Sequence, residues 1–362
     1  MSRLIGYLVA AILVLGGAYL SFWPVPIEPV AWQAPKNAGY VGDFAPNERL
    51  KAATFIELDG HVGPEDAALG PDGLLYASMH DGAILRMQLD GSRPEVVAET
   101  GGRPLGMEFG GDGTLYVADA YRGLLAVDAG GQVTLLADKT VDGSPILYAD
   151  DLDIAADGTI YFSDASTRFA ARATSGTLES SILDLMEHSG SGRILRYDPV
   201  AKTASVLIDG LTFANGVALA PDERHLIVVE TGNYRVLKYP LGPDGPGAAQ
   251  IILDNLPGFP DNANKGPDGS YWAGLVSQRN DAVDSLSGSP FLRKMVMRLP
   301  DFLKPAPTRY GFVLRFDADG KVLETLQDPS GNYALTTGAI SLPDGSVVIT
   351  SLGEPRLAVL RE

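Results

Sequence analysis

The chain has 362 residues, 45% of them hydrophobic, with 42 glycines and 25 prolines, a balance that suits many short strands joined by turns around one large core. A formal charge of −17 argues against nucleic acid as a partner, because phosphate contacts need basic surface. Cysteine is absent, which excludes disulfides, thiolate metal sites and a cysteine nucleophile.

The amino terminus opens with Leu4–Trp23, LIGYLVAAILVLGGAYLSFW, twenty residues without a charge, preceded by Arg3. That length spans a bilayer core. A cleaved signal peptide is the rival reading, but the run exceeds a usual h-region and no A-x-A site follows it. The expectation is therefore an uncleaved signal anchor, residues 1–23. The positive-inside tendency keeps Arg3 in the cytoplasm and puts the rest of this single-pass membrane protein on the extracytoplasmic (periplasmic or extracellular) side. Residues 24–54 read as stalk and linker, with Pro24–Pro35 as a stiff stalk.

From there a unit repeats. An Asp-Gly turn, or a close variant, precedes an apolar strand at Asp72, Asp112, Asp157, Asp222, Asp268 and Asp344, as in DGTIYFSD at 157–164. The separations are 40, 45, 65, 46 and 76 residues. The short ones match one four-stranded propeller blade and the long ones a blade plus an insertion. Residues 55–362 are thus expected to form an all-β, six-bladed β-propeller with two helical inserts.

Seven residues before each turn Asp, where the innermost strand begins near the channel, stand Glu65, Leu105, Asp150, Asn215, Asp261 and Thr337. Turn capping also places Asp and Asn at strand entrances, but it does not favour one channel-side position in four repeats. Glu65, Asp150, Asn215 and Asp261 are oxygen donors with three formal negative charges on one axis, a set that suits a hard divalent cation such as Ca²⁺.

In chain order, Phe55–Leu58 is expected to close the ring by pairing with the last blade. His61–Arg86 and Gly101–Val127 supply the inner parts of the first two blades, with Leu105 lining the pocket. After Asp150 comes an insertion, Ser166–Gly192, whose apolar spacing predicts a short amphipathic helix over Leu178–His188. Arg193–Val206 is an outer hairpin, Leu211–Val229 the fourth blade, and Pro257–Asn262 opens the fifth. A second insertion, Ser277–Thr308, carries FLRKMVMRLPDFLK at Phe291–Lys304, an apolar stripe flanked by cations. It reads either as a lid helix or as a helix dipping into the membrane surface. Phe312–Leu326 and Ala339–Leu360 are expected to supply the sixth blade.

Several stretches carry a family resemblance: GRPLG at Gly102–Gly106, LYVADAYRGL at Leu115–Leu124, GRILRYD at Gly192–Asp198, LTFANGVALAPDE at Leu211–Glu223, VVETGNYRV at Val228–Val236 and LPGFPDN at Leu256–Asn262. With them the chain resembles the strictosidine synthase-like family and its adipocyte plasma membrane-associated protein branch, among the gluconolactonase/regucalcin and paraoxonase-type propellers. The resemblance implies a six-bladed propeller with a channel Ca²⁺ and, in many members, hydrolysis of lactones, aryl esters or organophosphates. It puts metal ligands on Glu65, Asn215 and Asp261, and on Asp150 where the family usually has Asn. The plant synthases place a catalytic Glu on the last blade; here Gly338 stands at that point, so strictosidine synthesis is not expected.

The sequence has no G-x-S-x-G elbow, Walker loop or H-E-x-x-H. The four histidines are scattered; His188 and His80 are the candidates for a base near the channel mouth, and packing or surface roles are the alternative. The expected function is calcium-dependent hydrolysis of a small-molecule ester or lactone at the membrane, with Asp261 as nucleophile or general base and Asp150 as its nearest competitor. The alternative is a non-catalytic, calcium-stabilised propeller that binds a ligand or partner.

Overall fold

The computed structural model describes residues 2–243 and 245–361. Six antiparallel sheets of four or five strands are arranged in a ring whose innermost strands touch in cyclic order, the six-bladed propeller expected. The local cause is the turn. At all six Asp positions the carboxylate accepts the backbone N–H two residues on, at 2.9–3.2 Å, which fixes the hairpin between the first two strands of each blade. The residue between takes positive φ, as at Gly73 (77°); at the fourth turn Glu223 does so (54°) without being glycine. Thr54–Glu57 pairs with Arg356–Leu360, closing the ring with strands from both chain ends.

One blade assignment is corrected. The hairpin Gly311–Phe316 and Val322–Asp328 belongs to the fifth blade, since Tyr271 pairs with Phe316 and Gly311 with Asp328. The second insertion therefore interrupts blade five between its second and third strands. The 76-residue spacing from Asp268 to Asp344 announces an insertion but not its place within the blade. Blade six consists of Thr336–Ser341, Val347–Ser351, Arg356–Leu360 and the closing strand.

The helices are α1 (Ser2–Phe22), α2 (Thr177–Glu187), α3 (Asp281–Ser285) and α4 (Pro290–Met297). The run Phe291–Lys304 is not one helix: α4 ends at Met297 and only a 3₁₀ turn, Asp301–Leu303, follows. Pro300 has no N–H to donate and disfavours helical backbone at Leu299. Over Arg3–Phe22, α1 is long and apolar enough to cross a membrane.

Residues 24–53 lie against the propeller and its inserts. Ile27 is fully buried in a cluster with Phe169, Leu183 and Met186, worth about 2 kcal/mol. Val30 N donates to Glu187 O at 2.8 Å, and Trp32 N to Ser287 O at 3.1 Å, so the segment bridges both inserts.

Candidate functional site

Glu65, Asp150, Asn215 and Asp261 are all buried and all line one cavity of about 360 Å³ at one end of the channel. Leu105 lines it too, while Thr337 turns aside, its hydroxyl donating to the Glu65 carbonyl. What aims these side chains is interrupted pairing. The innermost strands of blades two, three, four and six each carry a register shift there: Pro104/Met107, Ala149/Leu152, Ala214/Val217 and Thr336/Ala339. Such bulges re-aim a side chain. Glu65 precedes its strand, and Asp261 lies in the break between Gly258–Pro260 and Asn264–Lys265.

The floor is short of partners. Glu65 Oε2, Asp150 Oδ2 and Asn215 Oδ1 are buried with no hydrogen-bond partner, while Asn215 Nδ2 donates to Asp261 Oδ1. Burial, then the charges of Asp261 and Asp150, push Glu65 well above the carboxylate range. Burial, then Asp261 and Asp151, do the same to Asp150. Asp261 is pushed up by burial only to about 7, because the Asn215 amide and the Arg103 guanidinium favour its anion. Arg103 is itself buried, with Nε and Nη2 unpartnered. Buried carboxylates with free oxygens are the environment that a hard cation relieves. Among the described residues no group of three or more Asp, Glu, His or Cys side chains is placed to hold a metal ion by itself. A cation here would have to draw on the Asn215 amide oxygen as well as the carboxylates.

Above the floor the walls are mostly apolar. Leu105, Phe213 and Phe259 form walls, and α2 covers one side with Leu178, Ile182 and Leu185. Tyr148 supports that helix through a 3.2 Å bond from its hydroxyl to the Thr177 carbonyl. No histidine lines the cavity among the described residues. His188 caps α2, its ring stacked on Trp32 at 3.8 Å, and burial followed by the Arg293 charge pushes its imidazole down to about 4. A Cβ at Gly338 would lie 2.2 Å from Asn264 Oδ1, so a side chain there would require that amide to move.

Sequence reasoning missed a layer just below the floor. The residues following Glu65, Leu105, Asp150, Asn215, Asp261 and Thr337 alternate Asp66, Gly106, Asp151, Gly216, Asn262, Gly338. The polar ones tie blades together across the ring, neighbouring and non-neighbouring alike. Asp66 Oδ2 accepts from Met107 N at 2.8 Å, Asp151 Oδ2 accepts from Val217 N at 2.9 Å and Ala263 N at 3.2 Å, and Asn262 donates to the Glu65 carbonyl at 3.3 Å. The glycines between them allow this approach; a Cβ on Gly216 would sit 2.5 Å from Ala263 N. That alternation was the available signal.

The same six-bladed fold is found among solved structures. Solved structures similar to it include a gluconolactonase from Xanthomonas campestris, with TM-score 0.62, 20% identity and coverage of 92% of this chain and 97% of that one. A calcium-binding regucalcin from Agrobacterium tumefaciens gives TM-score 0.59 at 17% identity, covering 85% and 93%. Family models described as strictosidine synthase and as the strictosidine synthase-like N-terminal region match residues 150–242 and 42–87. The adipocyte plasma membrane-associated protein of Salmo salar is 33% identical over 359 residues, 92% of this chain and 84% of the relative. The chain belongs to the family of strictosidine synthase-like and adipocyte plasma membrane-associated proteins.

Proposed function

We propose that the protein is a membrane-anchored, calcium-dependent hydrolase of small-molecule esters or lactones. The observation that carries this reading is the trio of unpartnered buried oxygens, Glu65 Oε2, Asp150 Oδ2 and Asn215 Oδ1, on the floor of a mostly apolar cavity. Glu65, Asp150, Asn215 and Asp261 would hold the ion, and a bound calcium supplies a Lewis acid for the substrate's carbonyl oxygen. The gluconolactonase and regucalcin folds among its structural neighbours support this class of activity.

The chain's own groups divide the remaining work. The apolar walls hold the acyl or aryl portion and exclude bulk water. Asp261 takes the proton of the attacking water and returns it to the departing alkoxide oxygen. Its anion is favoured over those of Glu65 and Asp150, because Asn215 donates to it and Arg103 faces it. Asp150 is the second candidate for that role. Strictosidine synthesis has no base on the last blade, where Gly338 stands. The helix α1 anchors the protein, and Arg3 directs the propeller to the extracytoplasmic side.

The test is a panel of lactones, aryl esters and phosphotriesters offered to wild type and Glu65→Gln, with calcium content measured on both. Turnover by wild type and its loss together with the ion in Glu65→Gln is expected. A calcium-loaded wild type that hydrolyses nothing would make the cavity a binding site.

A further inference from the structure

The second insertion presents an apolar edge to solvent. Phe291, Leu292, Phe302 and Leu303 are 53%, 42%, 84% and 56% exposed, and Trp23 at the end of the apolar helix is 60% exposed. Single exposed apolar side chains are ordinary, but Phe291 and Leu292 lie on α4, which packs against α1, and Phe302 and Leu303 follow in the same insertion. Arg298 fixes α4 there. Its Nη1 donates to the Leu20 carbonyl at 2.9 Å and its Nε to the Trp23 carbonyl, and the side chain is only 7% exposed. Carbonyls in the last turn of a helix have no partner within the helix, so Arg298 satisfies groups that otherwise need water. The span thus ends within one hydrogen bond of the residue that caps α4. No free linker lets the propeller stand away, because residues 24–35 turn back over the inserts through Ile27 and Val30.

The same edge adjoins the cavity. Asp301, Lys304 and Pro305 line its rim, immediately beside Phe302 and Leu303, and the inner face of α4 contributes Val296 and Met297 to the wall. Apolar surface beside a membrane span, on a segment whose other side forms a ligand cavity, fits insertion at the interface between headgroups and acyl chains.

We propose that Phe291, Leu292, Phe302 and Leu303 are seated in the bilayer that α1 crosses, and that the cavity takes amphiphilic esters or lactones with a long apolar tail from that bilayer. The seating rests on the anchor reading, and the substrate class on the hydrolase reading given above. The apolar wall receives the tail, while the ester carbonyl reaches the acidic floor.

The absence of cysteine makes the test specific. Full-length Phe302→Cys, labelled with an environment-sensitive fluorophore and reconstituted in phosphatidylcholine vesicles, is compared with Val200→Cys. Val200 is 92% exposed in the turn between Gly192–Asp198 and Thr203–Leu211, at the end of the propeller away from the cavity. Brominated lipid should quench the label at 302 and spare that at 200, with aqueous iodide doing the reverse. Equal iodide quenching at both overturns the seating. In a second arm, Phe302→Asp with Leu303→Asp should lower turnover of a vesicle-borne long-chain ester about tenfold and leave a short, water-soluble ester unchanged. Equal loss on both esters, or on neither, overturns membrane entry. A lipid-quenched label in a protein that hydrolyses no ester at all supports the seating and removes the substrate class together with the hydrolase reading.

Discussion

Asp150 and Asp151 are neighbours in the chain with opposite surroundings: Asp150 Oδ2 is buried without a partner, while Asp151 Oδ2 accepts the Val217 and Ala263 N–H groups at 2.9 and 3.2 Å. Substituting each should separate ion retention from fold strength. Asp151→Ala leaves two buried N–H groups, on blades four and five, without an acceptor, at about 1–3 kcal/mol each. It should lower Tm with or without calcium. Asp150→Asn should lower calcium content while melting, in chelator, no lower than wild type. Elemental analysis and thermal melts on the two variants check this; a reversed pattern would exchange the roles.

The pH dependence follows from Asp261. Burial lifts it to about 7 in the folded protein, against about 3.9 in an unfolded chain. Between those values the folded state holds a proton that the unfolded state has lost. The stabilisation is therefore full below about pH 4 and disappears as pH rises through about 7. In chelator, wild type should lose more Tm over that window than Asp261→Asn. With calcium the sign reverses, since the ion requires deprotonated ligands. Calcium-loaded and chelated melting curves that run parallel from about pH 5 to 8 would contradict the assignment.

Asp261→Asn keeps an oxygen donor but cannot take a proton. It should reduce kcat by roughly a hundredfold or more with a smaller loss of calcium, while Asn215→Asp, similar in size and still a donor, should retain measurable turnover. Wild-type activity in Asp261→Asn at full calcium occupancy would move the base to Asp150.

Orientation is open to direct measurement. Protease added to cells stripped of any outer membrane should digest the propeller while leaving a cytoplasmic marker whole. Protection of the propeller under conditions that cleave a known outward-facing marker would place it in the cytoplasm.

The blades were legible because their cause is local: each turn Asp bonds the N–H two residues on, so the signal lies within a few residues of sequence. The floor residues were legible because equal offsets from those turns place them at one end of one cavity. Long-range pairing was not legible. Nothing in Phe312–Leu326 says that it pairs with Tyr271 rather than joining the last blade. Nor does the proline-rich stretch after the anchor reveal that Ile27 finds a pocket against α2. Arg103 stood within the GRPLG motif, but its burial beside Glu65 depends on blades one and two meeting, which the motif alone does not encode.

The most direct test of the central claim is hydrolysis of an aryl ester or lactone by the purified full-length protein, measured together with its calcium content before chelation, after it, and after calcium is restored. Activity should disappear with the ion and return with it. Undiminished turnover in protein shown to be free of calcium would contradict the account.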